Sequence, residues 1–109
     1  MGESVVNIVA SECTGDEAKF NKWYNEVHIP LLLKFKGLKG ASRYKQLGEN
    51  KEQATYLAFY EFENKEALDA LHQSPEFAVA MEDMKETWKD GGFELKWAAP
   101  YERVKTWER

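Results

Sequence analysis

Cysteine is almost absent from this chain of 109 residues, which contains only Cys13. A single cysteine excludes an internal disulfide, and no second thiol lies near it to suggest a thiolate metal site. A reducing compartment fits this composition best. We therefore expect a cytoplasmic protein that has neither a disulfide nor a metal site built on cysteine.

Excess positive charge and long hydrophobic runs are also missing. The formal net charge is −4, so no overall positive field gathers phosphate groups, which argues against nucleic acid as a partner. The N-terminal residues have no basic region before a long apolar run, and apolar runs elsewhere are much shorter than a membrane span. We expect a soluble, unexported protein without a membrane partner.

Histidine is scarce as well, since the chain contains only His28 and His72. The two residues lie far apart in the sequence, and the many glutamates are spread over predicted solvated helix faces. A metal site needs more ligands than two distant histidines. We therefore expect no bound metal.

Aromatic residues, in contrast, are abundant and make up 14% of the chain, within a hydrophobic fraction of 43%. Aromatic side chains therefore supply an unusually large share of the predicted core. A chain of this length forms one domain, so we treat residues 1–109 as a single unit.

The hydrophobic periodicity predicts elements in the order β-α-β-β-α-β. The predicted strands cover residues 5–11, 41–47, 54–62 and 93–99, and Pro100 is expected to interrupt the last one. A capping box from Thr14 to Glu17 predicts the start of the first helix. Asn64 and Ser74 are the predicted caps of the second helical region, which ends at 91–92. This order is the ferredoxin-like arrangement, in which two helices pack on one face of a four-stranded antiparallel sheet.

The third predicted strand is apolar on both faces, with Leu57 and Phe59 on one. The other face carries Tyr56, Ala58, Tyr60 and Phe62. Helices on one side of an antiparallel sheet cover only one face. We therefore expect another surface to cover Leu57 and Phe59.

The first helix carries an apolar stripe at helical spacing and a histidine beside it. The stripe consists of Phe20, Trp23, Tyr24, Val27 and Leu31. At about 100° per residue, His28 falls roughly 80° from Phe20, on the rim of the buried face. Pro30 cannot donate a hydrogen bond and disfavours the helical conformation at Ile29, so we expect the helix to break there.

These residues give the candidate site. His28 is a candidate general acid or base and Tyr24 a candidate oxyanion donor. Arg43 and Tyr44 point to opposite faces of their strand, and both are candidate ligand-binding residues for an anionic or enolic oxygen. We favour Tyr44 toward the helices if Tyr56 and Tyr60 also point there. Trp23, Trp88 and Trp97 are predicted core residues that also provide walls for an aromatic pocket. The structural alternatives are a capping His28 and a surface ion pair for Arg43.

The run Trp23-Tyr24-Asn25-Glu26-Val27-His28-Ile29-Pro30, then Gly37 and Ala41-Ser42-Arg43-Tyr44, resembles the signature of one family. It is similar to the EthD-like branch of the dimeric α+β barrels, and the resemblance spans nearly the whole chain. The resemblance implies a homodimer in which two sheets meet face to face. It also implies a pocket between helices and sheet, into which His28 projects.

The resemblance is specific for the fold and leaves three functions open. The first is a cofactor-independent enzyme, a cyclase, isomerase or monooxygenase, that acts on a small apolar or aromatic substrate with His28 and Tyr24. The second is a non-catalytic ligand-binding or stress-related module. The third is a haem-binding protein with His28 as axial ligand, which we do not favour because the sequence offers no second proximal ligand; we expect no cofactor.

Overall fold

The computed structural model of the chain describes residues 4–109 and contains one four-stranded sheet with helices on one face. The strands are β1 (Val5–Cys13), β2 (Leu38–Lys45), β3 (Tyr56–Phe62) and β4 (Phe93–Glu102). The helices are α1 (Glu17–Trp23), α2 (Ile29–Leu33), α3 (Lys65–His72) and α4 (Pro75–Thr87), and a π turn (Tyr24–His28) joins α1 to α2. The strand order is β2-β3-β1-β4 with antiparallel pairing throughout, which confirms the predicted ferredoxin-like fold.

The pairing register of the sheet places alternate side chains of β3 on opposite faces, as the sequence predicts. Residues directly opposite each other in antiparallel strands point to the same face, and β3 pairs with β1 through contacts such as Tyr60 to Asn7. Tyr56, Ala58, Tyr60 and Phe62 point toward the helices, and each is at most 5% exposed. They form one hydrophobic core with Phe20, Tyr24, Leu32 and the buried leucines of α3.

The π turn changes which residues of the first helical region are buried. Its i→i−5 hydrogen bond, from the Ile29 amide to the Tyr24 carbonyl, spans one residue more than an α-helical bond. The buried stripe after Tyr24 therefore moves from the predicted Val27 and Leu31 to His28 and Leu32. Val27 is 37% exposed and His28 only 5%, so the expected rim position of His28 is wrong.

Pro30 does not break the helix as predicted. Ile29 keeps helical angles, φ −64° and ψ −44°, and Pro30 lies in the first turn of α2. A proline ring inside an α-helix clashes with the carbonyl four residues earlier. The π turn widens the backbone directly before the proline, and the irregularity therefore lies before Pro30 rather than at it.

The predicted helix caps are confirmed in the second half of the chain and corrected in the first. Asn64 accepts a hydrogen bond from the Ala67 amide at 2.9 Å, and Ser74 accepts one from the Phe77 amide at 3.1 Å. The cap of α1 is Asp16, which accepts from the Lys19 amide, and not Thr14. The amide of Thr14 instead donates to the Gly92 carbonyl, which ties the end of β1 to the start of β4.

Strand β4 continues through Pro100, contrary to the prediction, and ends at Glu102. It lies at the edge of the sheet, where the missing amide hydrogen of proline removes no interstrand bond on the solvent side. A bulge also interrupts its alternation, because Ser11 pairs with Leu95 while Ala10 pairs with Trp97. Leu95 consequently points toward the helices and Trp97 points away. Trp97 is 43% exposed in the single chain, so the prediction that it is a core residue is wrong.

The face of the sheet that carries Trp97, here called the open face, contacts none of the described helices. Several of its large apolar side chains are exposed, including Tyr44 at 57%, Trp97 at 43% and Tyr101 at 53%. Tyr44 packs edge to face on the partly buried Phe59 of the next strand. Within residues 4–109, no helix is long and apolar enough to cross a membrane.

Candidate functional site

A cavity of about 170 Å³ lies between the helix-covered face of the sheet and the helices. Its volume resembles the ~150 Å³ cavity that accommodates benzene in another protein. The wall is mostly apolar, and its polar members come from four different elements: Asn7, Tyr24, His28, Tyr60 and His72. The apolar members are Val9, Leu32, Phe62, Leu71, Phe77, Met81, Met84, Phe93, Leu95 and Ala98.

His28 lines this cavity and is held by aromatic rings. Its imidazole stacks on the Trp23 indole with ring centroids 4.6 Å apart and planes inclined by 23°. The Tyr24 ring meets it edge-on at 5.2 Å. The Nδ1 atom is buried and has no hydrogen-bond partner among residues 4–109. A buried nitrogen without a partner carries a free-energy cost that a hydrogen bond would recover.

Burial keeps the His28 imidazole neutral. Desolvation lowers the pKa of His28 from 6.5 to about 4, and the positive charge of Arg43 acts in the same direction, whereas Asp83 opposes it. At neutral pH the ring therefore has one nitrogen that donates a hydrogen bond and one that accepts.

Two buried tyrosines complement the neutral imidazole. Burial raises the pKa of Tyr24, and it raises the pKa of Tyr60 well above the ordinary value of 10.0. Both phenols consequently remain protonated at neutral pH. The cavity thus combines a neutral imidazole with phenolic O–H groups in an apolar wall.

Arg43 contacts this site from behind Tyr24. Its guanidinium stacks over the Tyr24 ring at 4.3 Å from the ring centre, and Nη1 donates to Oδ1 of Asn21 and of Asn25. Arg43 pairs with Ala58 and so points toward the helices, while Tyr44 pairs with Leu57 and points to the open face. The expectation that Tyr44 faces the helices is therefore wrong, because the register exchanges the two side chains.

Trp23 and Trp88 lie behind the cavity wall rather than in it. Both are buried, and their rings meet edge to face at 5.5 Å. Nε1 of Trp23 donates to Oδ2 of Asp83 on α4 at 2.8 Å, which fixes the indole on which His28 stacks. The structure thus brings His28, Tyr24, Trp23 and Arg43 into one contiguous group.

Three polar residues of the cavity wall, Asn7, Tyr60 and His72, were not among the residues predicted from the sequence. The alternation of their strands indicates that Asn7 and Tyr60 face the helices, and this signal was present in the sequence. His72 is exposed at the end of α3 and its ring packs edge to face on Phe77 at 5.0 Å. No local motif marks His72, since only the packing of α3 over the sheet brings it to the cavity.

A haem group does not fit this site. A cavity with room for about one aromatic ring is several times too small for a macrocycle. Within residues 4–109, no three His, Cys, Asp or Glu side chains are placed to share a metal ion.

Comparison with known families gives a match to the model of a domain of unknown function, DUF4286, over residues 7–95. The matched segment runs from β1 into β4 and includes every residue of the cavity wall except Ala98. None of the curated proteins matches the sequence.

Similar solved structures share the fold at low sequence identity. An ethyl tert-butyl ether D (EthD) family protein from Bacillus halodurans has a TM-score of 0.75 and 18% identity, over 93% of this chain and 99% of that one. SnoaB, a cofactor-independent oxygenase from Streptomyces nogalater, has a TM-score of 0.68 and 12% identity, over 95% of this chain and 96% of that one. A dimeric ferredoxin-like protein of unknown function from Thermobifida fusca has a TM-score of 0.61 and 14% identity, over 94% of this chain and 93% of that one. At the level of the fold, these similarities confirm the predicted resemblance to the EthD-like branch.

Proposed function

The chain belongs to the DUF4286 family, a domain of unknown function, and we propose that it binds one small molecule in the cavity beside His28. The observation that carries this proposal is the unpaired Nδ1 of a buried histidine in the wall of an apolar cavity. Most buried polar atoms in native proteins have a hydrogen-bond partner, so a ligand that supplies one to this ring would be favoured.

The size and chemistry of the cavity define the class of ligand. A volume of about 170 Å³ suits a molecule of about one ring. The apolar wall favours a mostly hydrocarbon ligand, whereas the imidazole and the phenols favour one oxygen that both donates and accepts hydrogen bonds. Phenols and the enol forms of cyclic ketones meet both conditions.

Within this proposal, His28 acts as a general base and Tyr24 as an oxyanion donor. His28 accepts the proton of an O–H or an activated C–H group, and the electron pair left on the ligand becomes an enolate or phenolate. The Tyr24 hydroxyl donates a hydrogen bond to that oxygen. An isolated imidazolium is unfavourable in this apolar site, but the anion formed beside it offsets the cost by ion pairing.

The similarity to SnoaB supports a reaction that requires no cofactor, since that protein is a cofactor-independent oxygenase of the same fold. The second function is ligand binding without catalysis, in which His28 only hydrogen-bonds its ligand. Trp23 and Arg43 position the site in both cases, since they contact His28 and Tyr24 from outside the cavity wall.

The proposal also includes a homodimer in the cytoplasm. The exposed aromatic side chains of the open face need a cover, and a second copy of the sheet supplies one of matching chemistry. The dimeric protein from Thermobifida fusca supports this assembly. The lone Cys13, a free thiol, supports a reducing compartment.

Binding is tested with phenol and toluene, two ring compounds of similar size that differ in one hydroxyl group. We expect His28→Leu to weaken phenol binding by about tenfold in calorimetry, because the ligand hydroxyl loses its partner. Toluene binding should change little, since leucine preserves the apolar wall. Glu82→Gln, at an exposed site on α4, is the control. Equal phenol affinity in wild type and His28→Leu would overturn the proposal.

Catalysis is tested with cyclohexanone in deuterium oxide. Proton abstraction next to the carbonyl exchanges hydrogen for deuterium, which proton NMR detects directly. We expect the wild-type protein to accelerate this exchange and His28→Leu to lose the acceleration. Binding of cyclohexanone without exchange would favour the non-catalytic module.

A further inference from the structure

The imidazole of His28 lacks the side-chain support that usually orients a functional histidine. Such residues commonly donate one ring nitrogen to a carboxylate or a carbonyl oxygen. Here Nδ1 has no partner among residues 4–109, and the ring is held by stacking on Trp23 with centroids 4.6 Å apart. The orientation of His28 therefore depends on the orientation of the indole.

The indole in turn has one polar anchor, the carboxylate of Asp83. Nε1 of Trp23 donates to Oδ2 of Asp83 at 2.8 Å, and the other carboxylate oxygen of Asp83 lies 3.5 Å from the Thr87 hydroxyl one turn later on α4. The rings of Trp88 and Phe93 pack against the indole at 5.5 and 5.9 Å. This packing limits sliding of the indole, whereas the directional N–H bond fixes its rotation.

We propose that Asp83 is a positioning residue that acts on His28 through the Trp23 indole. The carboxylate of α4, the indole at the end of α1 and the imidazole at the end of the π turn form a continuous series of contacts into the cavity. The inference rests on the proposed role of His28 and adds to it the residue that holds the imidazole in its working orientation.

The π turn makes this arrangement possible. Trp23 and His28 are five residues apart, a spacing that an α-helix places on different faces at about 100° per residue. The i→i−5 bonding of the π turn brings positions five apart close together on one side. The stack of His28 on Trp23 is a direct consequence.

Several charged and titratable groups surround His28. Asp83 faces it from α4 and raises its pKa, whereas Arg43 lowers the pKa from β2. Tyr24 lies beside it, and Tyr60 of β3 and His72 of α3 also line the cavity. Asp83 is the one of these groups that accepts a hydrogen bond from the indole under His28.

The test compares three variants with the phenol and toluene probes. Asp83→Leu and Trp23→Phe remove the anchoring hydrogen bond, and we expect each to weaken phenol binding by about tenfold, as the loss of an outer-shell partner does. Asp83→Asn keeps an oxygen acceptor and should retain phenol binding. Glu82→Gln, the neighbouring exposed residue on α4, is the matched control.

Proton NMR of the His28 ring gives a second readout, the pKa of the imidazole. Loss of the carboxylate should lower the pKa of His28 further in Asp83→Leu and Asp83→Asn, because its charge favours the imidazolium. Phenol binding unchanged in Asp83→Leu, while His28→Leu loses it, would overturn this inference and leave the proposed function intact. No effect of His28→Leu would overturn the proposed function itself, and equal losses for phenol and toluene would assign Asp83 a packing role only.

Discussion

At the scale of single residues, His28 is the feature on which the proposed site depends. Its side chain is 5% exposed although imidazole is polar, and burial lowers its pKa to about 4. A group whose pKa is lower in the folded state than in the unfolded chain favours unfolding once it becomes protonated. The buried histidine therefore links the stability of the fold to pH.

We expect the free energy of unfolding to be unaffected by His28 above about pH 6.5 and to fall as the pH decreases toward 4. From the pKa of 6.5 in the unfolded chain and about 4 in the fold, the loss by pH 4 is about 3 kcal/mol. Urea unfolding from pH 7 to pH 4 measures it. His28→Gln should remove this part of the pH dependence, and His72→Gln, at an exposed site, should retain it. Parallel pH profiles for wild type and His28→Gln would contradict the assigned burial.

The positive charge of Arg43 gives a second prediction at this scale. This charge lowers the pKa of His28 and also that of Tyr24. We expect Arg43→Met to raise the pKa of His28 toward 6.5, as measured by NMR titration of the ring protons. The same change should cost about 1–2 kcal/mol of stability, because it removes the stack on Tyr24 and the bonds to Asn21 and Asn25. A pKa that falls in this variant would exclude the charge effect.

At the scale of secondary structure, the π turn decides which side chains of the first helical region reach the core. It acts as one extra residue in the helix, so that His28 and Leu32 take the places expected for Val27 and Leu31. Pro30 follows the π turn and favours this irregularity in the backbone before it. The stacking of His28 on Trp23 depends on the same turn.

Removing one residue from the π turn should therefore restore a regular helix without changing the buried stripe. One variant combines deletion of Glu26 with Pro30→Ala. We expect it to unfold cooperatively, with a free energy of unfolding within about 2 kcal/mol of that of Pro30→Ala alone, because Tyr24 and His28 then lie at i and i+3. Deletion of Lys22 in the same background rotates all following side chains about the helix axis. It should remove most of the free energy of unfolding, which is ~5–15 kcal/mol for a typical domain. Urea titration measures the loss of stability in each deletion variant. Equal losses in the two variants would contradict the π insertion.

The connection between α4 and β4 gives a second test at this scale. Gly92 has φ +106°, and a Cβ atom there would lie 3.2 Å from the Trp88 ring. Gly92→Ala should cost about 1–2 kcal/mol or more, because alanine is strained at positive φ. Gly40 in β2 has no atom within 4 Å of such a Cβ, so Gly40→Ala should change the thermal unfolding temperature little. The reverse order of the two effects would contradict the backbone assigned here.

At the scale of the whole molecule, the two faces of the sheet differ in their cover. The helices bury one face, and the open face presents Tyr44, Trp97 and Tyr101 to solvent in a single chain. Exposed aromatic groups on one continuous face are typical of a surface that associates with another. The proposed homodimer assigns that cover to a second copy.

Light scattering on a size-exclusion column should give twice the chain mass of 12.7 kDa at micromolar concentration. Trp97→Lys should shift the protein toward monomer, because a charge at the centre of a packed sheet interface is costly to desolvate. Val79→Lys, at a 55% exposed site on α4, should leave the dimer intact. A monomeric wild-type protein would remove the homodimer from the proposal.

The sequence by itself determined the order of elements, the caps at Asn64 and Ser74 and the two faces of β3. These features depend on local chemistry: side-chain oxygens that accept from nearby amides, and an alternation of two residues in a strand. His28 and Tyr24 were also found from the sequence, because an imidazole and a phenol one helical turn apart are a recognisable pair.

Only the tertiary structure decided the features that depend on register. The choice between Arg43 and Tyr44 depends on which residue of β3 lies opposite, and a shift of one residue exchanges them. The π turn and the β4 bulge each move the buried pattern by one residue, and a strictly periodic interpretation does not detect such an insertion. His72 and Asp83 join the site through packing between distant segments, for which the local sequence contains no signal.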